Sequence, residues 1–575
     1  MIRLPRSLSS FLLLIVIFPA AAQERRSAGS PVPGADLAAG LAPGAPPKSA
    51  SGSFSEVIDR VVKQERLLLT EMRTFRPIVE TYLQNLKPDA GGNPLPANDQ
   101  YFLGRLDMSE GPQDISFLGP GGPGKGRLGK LAGIFSLHYQ AAGFTQMIVP
   151  DTDFDKTNYA FSLVRREFLG EVRCLVIDVQ PKPDAPPGRF QGRIWVEDND
   201  YNIVRFNGTF SRPARDSFYL HFDSWRLNMK PGFWLPAYVY SEESDGENSA
   251  GRLHLKAQTR LWGYDLEAGK KRSDEFTQIM VDAQQPVEDH SEEAGDATPV
   301  AAERLWERQA ENNVIERLEK VGLLAPPGPV DNVLQTVVTN LLVTNNIDLQ
   351  SAVHCRVLLT APLESFTIGH TIVLSRGLLD VLPDEASLAM VLAHEVSHIV
   401  LGHPFDARLA FNDRMFFPDE QSFQRLDFRR RPADEEAADA KALELLKNSP
   451  YKETLGTAGL FLKALQERAP ELPNLIRPHL GNSLAAGQSI RMSALLATAP
   501  ALDDHRIDQI AALPLGGRVK MDPWTDQVEL AKTRPVPLAL SREKMPFEIT
   551  PFFPHLMRLA NEGADKTAMA GSGSK

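Results

Sequence analysis

Between residues 100 and 270 the apolar side chains of this sequence recur at every second position. The clearest run is RLHLKAQTRLW, residues 252–262, where Leu, Ala and Thr alternate with Arg, His, Lys and Gln. A period of two is typical of a strand with one buried face and one face in water. The same pattern is found in EVRCLVIDVQP, FQGRIWVEDNDYNIVRFNGTF, SFYLHFDSWRL and FWLPAYVYSEE. The second of these turns at Asp198-Asn199-Asp200, so together the runs predict one antiparallel sheet with a solvated face.

A helical pattern precedes the predicted strands. From Phe54 to about Leu86, apolar residues recur three and four positions apart with charges between them, which predicts a helix that covers the sheet. The layout of the strands resembles the curved half-barrels of periplasmic lipoprotein carriers. That resemblance implies a concave face able to hold a lipid acyl chain or an extended peptide. The alternative is a face that only packs against the helix.

The first 22 residues run from basic to apolar to small. Two arginines precede an apolar core from Phe11 to Phe18, and three alanines follow at 20–22. This order predicts a signal peptide cleaved after Ala22, and hence a periplasmic or secreted protein. Residues 23–53 are rich in Ala, Gly, Pro and Ser, which predicts a disordered linker. No later segment is long and apolar enough to cross a membrane, so we expect no transmembrane segment after signal removal.

Composition removes several other classes of function. The net charge of −11 argues against a nucleic-acid partner. The run GPGGPGKG has Gly126 where a phosphate-binding loop needs Ser or Thr, so we interpret it as a flexible loop.

Cys174 and Cys355 lie in different predicted domains. A disulfide between them is one alternative, and two buried thiols are the favoured one.

At 575 residues the chain is long enough for several domains. We expect an α+β multidomain protein: an antiparallel, curved sheet domain with a covering helix, then a mainly α-helical domain with a small edge sheet. The predicted boundaries are 54–283 for the first domain, 284–299 for an acidic linker, 300–515 for the second domain, and 516–575 for a C-terminal extension with a disordered tail. We expect the extension to lie over a domain surface.

The stretch LAHEVSHIVLGHP, residues 392–404, falls in an apolar helix expected to start after Asp384 and end at Gly402. His394 and His398 are four residues apart and share a helix face, so both can bind one metal ion. Glu395 beside them can act as a base toward water. Burying these groups without partners would be costly, which favours a metal site over a chance match. His403 lies beyond Gly402, away from that face, and is not expected to be a ligand.

A catalytic zinc site needs a third protein ligand. Pro432 is suited to the first turn of a helix that carries Glu435 and Asp439 four residues apart. Glu435 can bind the metal, and Asp439 can accept the outer N–H of a ligating histidine. From the pattern alone, Glu435 could equally be a first-turn acid that interacts with the helix dipole.

The run TIVLSRGLLDVLPDEASLAMVLAHEVSHIVLGH, followed by EEAAD, resembles the CAAX prenyl protease/HtpX family of zinc metallopeptidases over about residues 328–515. The resemblance implies a zincin-type metallopeptidase domain with one Zn²⁺ per chain and polypeptide substrates, including misfolded envelope proteins. Carried over by position, the zinc ligands would be His394, His398 and Glu435, with Glu395 as the catalytic base and Asp439 supporting a histidine.

The strand before the metal-binding helix is expected to contact substrate. A peptide would add to its edge around Ser365 to Thr371, with Ser365 and Phe366 in contact. His370 is a candidate for stabilising the oxyanion, and a structural role is its favoured alternative. The family commonly has Asn-Ala-Phe where this chain has Glu364-Ser365-Phe366, and a histidine where it has Ala499.

We therefore expect an exported zinc metalloendopeptidase of envelope protein quality control. Two other classes stay open. One is a periplasmic chaperone or a lipid- or lipoprotein-binding protein with a latent metal site, and the other is an extracellular enzyme acting on something other than protein. Glu395 favours catalysis, because a binding module has no need of a base. The phenylalanine-rich segment 404–431 is a lid, a surface for unfolded clients or a packed pair of helices.

Overall fold

The N-terminal half of the chain forms an antiparallel sheet of ten strands, as the alternating pattern predicts. The strands are β1 (Ile78–Pro88), β2 (Pro94–Asp107), β3 (Gln113–Ser116), β4 (Tyr159–Leu169), β5 (Val172–Pro181), β6 (Phe190–Glu197), β7 (Ile203–Phe210), β8 (Leu220–Lys230), β9 (Phe233–Glu243) and β10 (Leu255–Trp262). Their order across the sheet is β3-β2-β1-β10-β9-β8-β7-β6-β5-β4, so most chain neighbours are also sheet neighbours.

The computed structural model describes residues 53–88, 94–118, 147–149, 153–211, 220–243, 255–264, 299–349, 351–404, 423–486, 489–499, 519–522, 527–530 and 547–559. The predicted signal peptide, the linker up to residue 52 and the GPGGPGKG run lie outside these residues. So do most of the acidic stretch and residues 405–422 of the phenylalanine-rich segment. The domain boundaries therefore stay predictions.

Helix α1 (Phe54–Met72) covers one face of the sheet with a stripe of buried apolar residues. On the same stripe Glu65 forms a buried ion pair with Arg226 of β8, at 2.5 and 2.8 Å. The prediction that the helix reaches Leu86 is wrong, because residues 78–88 are β1. Pro77 disfavours helical backbone at the residue before it, and the residues that follow, polar ones included, are buried as a strand.

The second face of the sheet is not solvated in its central strands, which corrects the expectation of one wet face. Strands β7, β8 and β9 are buried along most of their length. The apolar core on this side joins side chains of the sheet with those of the helical region and of residues 547–559. Residues 547–559 of the predicted C-terminal extension thus lie over a sheet surface, which alternation within the strands could not reveal.

The second half of the chain is mainly helical. Its helices are α2 (Pro299–Val321), α3 (Pro329–Thr344), α4 (Arg376–Val381), α5 (Glu385–Val400), α6 (Pro432–Lys447), α7 (Leu455–Arg468) and α8 (Pro473–Ile476). A small sheet of β11 (His354–Leu358), β12 (Ser365–Ile368) and β13 (Thr371–Ser375) has the order β11-β13-β12. Two short hairpins follow: β14 (Ala485–Ala486) with β15 (Ser489–Ile490), and β16 (Val519–Asp522) with β17 (Gln527–Leu530). The expected α+β class with a small edge sheet is confirmed.

Buried polar contacts join the large sheet to the helical region. The Glu80 carboxylate on β1 accepts hydrogen bonds from the Ala361 amide at 2.6 Å and from the Tyr101 hydroxyl at 2.8 Å. Asp99 on β2 accepts from the backbone amides of Asn474 and Leu475 at 3.1 and 2.8 Å. These contacts hold the β11–β12 loop and α8 against the sheet.

Both cysteines are free and buried, so the favoured alternative of two thiols is confirmed. Burial raises the pKa of Cys174 and of Cys355 to about 12, which keeps both protonated and unreactive at neutral pH. Within the described residues, every helix is too short or too polar to cross a membrane.

Candidate metal centre

Helix α5 begins and ends where its capping residues predict. The Asp384 carboxylate accepts a hydrogen bond from the Ser387 amide at 2.8 Å, and Gly402 beyond the last turn has a φ of +64°. The helix is buried around most of its circumference, which leaves its polar side chains facing other protein groups. His394 and His398 share one face, with their Nε2 atoms 3.2 Å apart.

Helix α6 brings the third member of the cluster. It begins at Pro432, packs along α5 and buries Glu435 in its first turn. The Glu435 carboxylate oxygens lie 3.3 Å from Nε2 of His394 and 3.4 Å from Nε2 of His398. Donor atoms 3.2 to 3.4 Å apart can share one ion that lies roughly 2 Å from each donor, the distance at which imidazole nitrogen and carboxylate oxygen bind zinc. The donor set and its geometry therefore fit a zinc ion held by His394, His398 and Glu435.

Two further side chains contact the outer nitrogens of the histidines. Oδ1 of Asp439 lies 2.9 Å from Nδ1 of His394, as predicted for a residue one turn beyond Glu435. The other oxygen of Asp439 accepts from the Met492 amide at 3.0 Å, which fixes the carboxylate. Nδ1 of His403 lies 2.8 Å from Nδ1 of His398. His403 is thus outside the candidate ligand set, as expected, but its contact with a ligating ring was not anticipated.

Glu395 is held by two hydroxyls of the edge strand β12. The Ser365 hydroxyl donates to Oε1 of Glu395 at 2.7 Å, and the Thr367 hydroxyl donates to Oε2 at 2.6 Å. Ser365 and Thr367 are two residues apart, so both side chains leave the same face of the strand. Glu395 is buried beside the cluster, and both oxygens of its carboxylate have defined positions.

Three other polar side chains contact the site and have no signal in residue spacing. Arg491 forms an ion pair with Glu435, and the Asn482 amide also donates to that carboxylate. Arg430 donates to the backbone oxygen of Thr367 at 2.9 Å and to that of His403 at 3.0 Å. These residues come from segments far from α5 in sequence, and only the folded chain brings them together.

The electrostatics of the cluster favour a charged carboxylate beside a basic imidazole. Burial alone would lower the pKa of His394, but the acidic groups of Asp439, Glu435 and Glu395 raise it to about 9. Burial alone would raise the pKa of Glu435, but hydrogen bonds from both histidines and the charge of Arg491 hold it well below its usual range. A proton on His394 therefore competes with a metal for the same nitrogen.

A small, partly open cavity lies beside the cluster. Ser365, Phe366 and Thr367 of β12 line it together with Arg430 and Arg491. The structure does not bring His370 into this lining, and instead places its ring on the turn after β12, 4.0 Å from Glu311 of α2. Glu436 is exposed on the far side of α6.

Comparison with known proteins supports this reading of the site. Residues 331–413 match Peptidase family M48, so the chain contains a domain of that family, and such a domain implies a metallopeptidase. The match covers α5 but ends before Glu435, whose place in the cluster rests on the geometry above. No curated protein matches the chain.

Solved structures resemble parts of the chain only distantly. A DUF1329 family protein from Desulfovibrio piger ATCC 29098 is 12% identical, covers 36% of this chain and 94% of its own, and has a TM-score of 0.18. The MucA/MucB complex of Pseudomonas aeruginosa gives 9% identity, coverage of 38% and 95%, and a TM-score of 0.13. Similarities this distant indicate no function for the chain.

Proposed function

We propose that this chain is a zinc-dependent metalloendopeptidase of the CAAX prenyl protease/HtpX type. The observation that carries the proposal is the position of Glu395. Its carboxylate is fixed by two hydroxyls next to a buried cluster of two imidazoles and one carboxylate. A site that only bound metal would need the cluster but not a positioned base beside it.

The protein groups have separate tasks in peptide hydrolysis. When bound by His394, His398 and Glu435, a zinc ion would supply a Lewis acid that polarises the scissile carbonyl and activates water. Glu395 accepts the proton of the attacking water and passes it to the leaving amine. Asp439 and His403 orient the two imidazole rings through their outer nitrogens.

Substrate would bind as an extended strand at β12. This strand lies at an edge of the three-stranded sheet, beside the cavity that contains Glu395. An added peptide strand gains main-chain hydrogen bonds at such an edge. Arg430 already donates to the Thr367 oxygen, so a substrate amide that pairs with this oxygen would share it with the guanidinium or displace it.

We also propose that the enzyme is exported and acts on misfolded envelope proteins. Export is supported by the basic, apolar and small-residue order of residues 1–22. The extended substrate mode fits unfolded polypeptides, because a peptide must leave its own fold to pair along a strand edge.

The decisive experiment measures zinc content and casein cleavage for the wild type and for Glu395→Gln. We expect the variant to keep about one zinc per chain and to lose cleavage by about 10²- to 10⁴-fold, the usual contribution of a positioned acid or base. Glu436→Gln, at an exposed position of α6, is the matched control and should keep both properties. Undiminished cleavage by zinc-loaded Glu395→Gln would disprove the mechanism. If the wild type itself were inactive, the chaperone or binding-protein alternative would gain.

A further inference from the structure

Residues 547–559 lie against the face of the ten-stranded sheet opposite α1 and form neither helix nor strand. Ile549 and Leu556 are buried there, with exposures of 5% and 0%. We call residues 547–559 the tail segment. Its contacts cross the sheet, from β1 and β10 at one end to the β4–β5 and β6–β7 turns at the other.

The first end of the tail segment is held by its backbone and by one charge pair. The Gln84 side-chain amide donates to the Phe547 oxygen at 2.7 Å and accepts from the Ile549 amide at 2.9 Å. The buried Gln84 side chain thus forms the hydrogen bonds to the tail-segment backbone that a neighbouring strand would otherwise form. Glu548 between them forms an ion pair with Lys256 of β10.

Aromatic contacts hold the middle of the tail segment. The Phe553 ring meets Trp225 edge-on at 5.8 Å between centroids, and Phe552 meets Tyr238 at 5.7 Å in the same geometry. The Arg205 guanidinium lies 4.6 Å from the Trp225 centroid and 5.3 Å from that of Phe553. Edge-on rings and a cation near a ring face are both attractive arrangements.

The far end again combines a backbone hydrogen bond, close packing and a charge pair. The Leu556 oxygen accepts from the Glu171 amide at 2.8 Å. Gly170 permits this approach, because a Cβ on it would come within 2.5 Å of the Leu556 oxygen. Arg558 lies 2.7 Å from Glu197, the last residue of β6 before the β6–β7 turn.

The sheet face is also braced by contacts that do not involve the tail segment. Arg205 forms two hydrogen bonds with Asp223, at 2.7 and 3.1 Å, and Trp225 donates to the same carboxylate at 2.8 Å. The Glu197 carboxylate is positioned by the backbone amides of Asn199 and Asp200. Three groups that contact the tail segment therefore keep partners of their own, as in a preformed binding site: Arg205, Trp225 and Glu197.

We infer that this face is a binding site for extended polypeptide segments, and that the tail segment is its intramolecular occupant. The ligand it fits has an acidic residue near its N-terminal end, an aromatic pair followed by proline, then a buried aliphatic residue and a basic residue. The face contacts backbone N–H and C=O groups at both ends, which an acyl chain lacks, so the site is built for a peptide. The inference is independent of the zinc chemistry, since every residue that carries it lies outside the metal centre.

A labelled peptide with the sequence of residues 546–560 tests the inference by fluorescence anisotropy with the full-length chain. In the wild type the tail segment competes with the labelled peptide for the same face. The apparent affinity for the peptide is therefore the intrinsic affinity multiplied by the fraction of chains whose tail segment has left the face. Phe553→Asp combined with Arg558→Glu weakens the tail segment and should tighten peptide binding at least tenfold. Met557→Asp, at a position 55% exposed, is the matched control and should leave binding unchanged.

Charge reversal tests whether the peptide uses the same site. In the weakened background, Lys256→Glu should reduce binding of the natural peptide, and a peptide with Glu548→Lys should restore it. A scrambled peptide should not bind. Failure of the natural peptide to bind a weakened variant that is still folded would overturn the inference. Binding of a fluorescent fatty acid in place of the peptide would equally overturn it, because the face would then be a lipid site.

A second form of the experiment does not require the double variant to fold. A protease site is inserted after residue 540 of the full-length chain, and the folded protein is cut. The released tail fragment should then exchange with labelled peptide at a rate that does not depend on unfolding. A fragment that leaves only when the sheet unfolds would show that the tail segment is a fixed part of the core.

Discussion

At the scale of single residues, helix spacing predicted His394, Glu395 and His398 as one set, and the family resemblance added Glu435. The structure brings all four together. The prediction from spacing was possible because helix geometry puts positions four apart on one face, and because the caps of both helices are local. The contact from His403 and the hydroxyl of Thr367 lay beyond such reasoning. The His403 contact depends on how the chain turns after α5. The Thr367 contact depends on the packing of β12 against α5.

Thr367 gives a prediction at this scale. Replacing Thr367 with Val keeps the volume but removes the hydroxyl that donates to Glu395 at 2.6 Å. One carboxylate oxygen then loses a buried donor, and the base loses part of its orientation. We expect kcat for casein cleavage to fall about tenfold, the lower range for loss of a supporting contact in a metal site.

The control for this change is Thr367→Ser, which keeps a hydroxyl and should retain most of the activity. Zinc content should stay at the wild-type value in both variants, because Thr367 contacts none of the three candidate ligands. Equal activity of the Val and Ser variants would show that the hydroxyl does not position Glu395.

At the scale of elements, local signals decided how much could be predicted. The ends of α5 and the start of α6 were predicted from Asp384, Gly402 and Pro432, because aspartate caps helix starts, glycine ends helices and proline suits a first turn. Residues 78–86 were assigned wrongly to a helix, because apolar residues recur there three and four positions apart and β1, which is buried on both faces, shows no alternation. The burial of the second sheet face depends on residues about three hundred positions away, which no local pattern reports.

The pairing of α5 with α6 leads to a prediction on metal removal. Two ligands lie on α5 and the third on α6, so an ion at this site joins the two helices. Binding to the folded state alone stabilises it by about 4 kcal/mol when free zinc is a thousand times the Kd. We expect a chelator to lower the Tm by several degrees, measured by calorimetry, and zinc to restore it. Glu435→Gln should have a lower Tm in zinc and little response to the chelator, and an identical response in wild type and variant would contradict the assignment of Glu435.

At the scale of the whole molecule, the junction between the large sheet and the helical region carries buried carboxyl groups. Glu80 and Asp99 lie on the sheet side, and burial raises the pKa of both. Glu364 lies on the other side, at the start of β12, and accepts from the Leu480 amide at 3.0 Å. Burial raises the pKa of Glu364 to about 7, although the backbone hydrogen bonds that its carboxylate accepts lower the pKa.

The raised pKa of Glu364 predicts how stability depends on pH. Between its ordinary pKa of 4.5 and about 7, the folded state binds more protons at this group than the unfolded state does. Its contribution to the free energy of unfolding is therefore complete below pH 4.5 and is lost as the pH rises through 7. A shift of this size corresponds to about 3 kcal/mol.

In Glu364→Gln the group cannot ionise, and the amide can still accept from Leu480. Denaturant unfolding from pH 4.5 to 8 should show the wild type losing this stability relative to the variant, whereas a constant difference would mean that Glu364 ionises in the fold as easily as in water. Such a loss would assign this part of the pH dependence to Glu364 at the sheet junction, because the comparison cancels every group that the two proteins share.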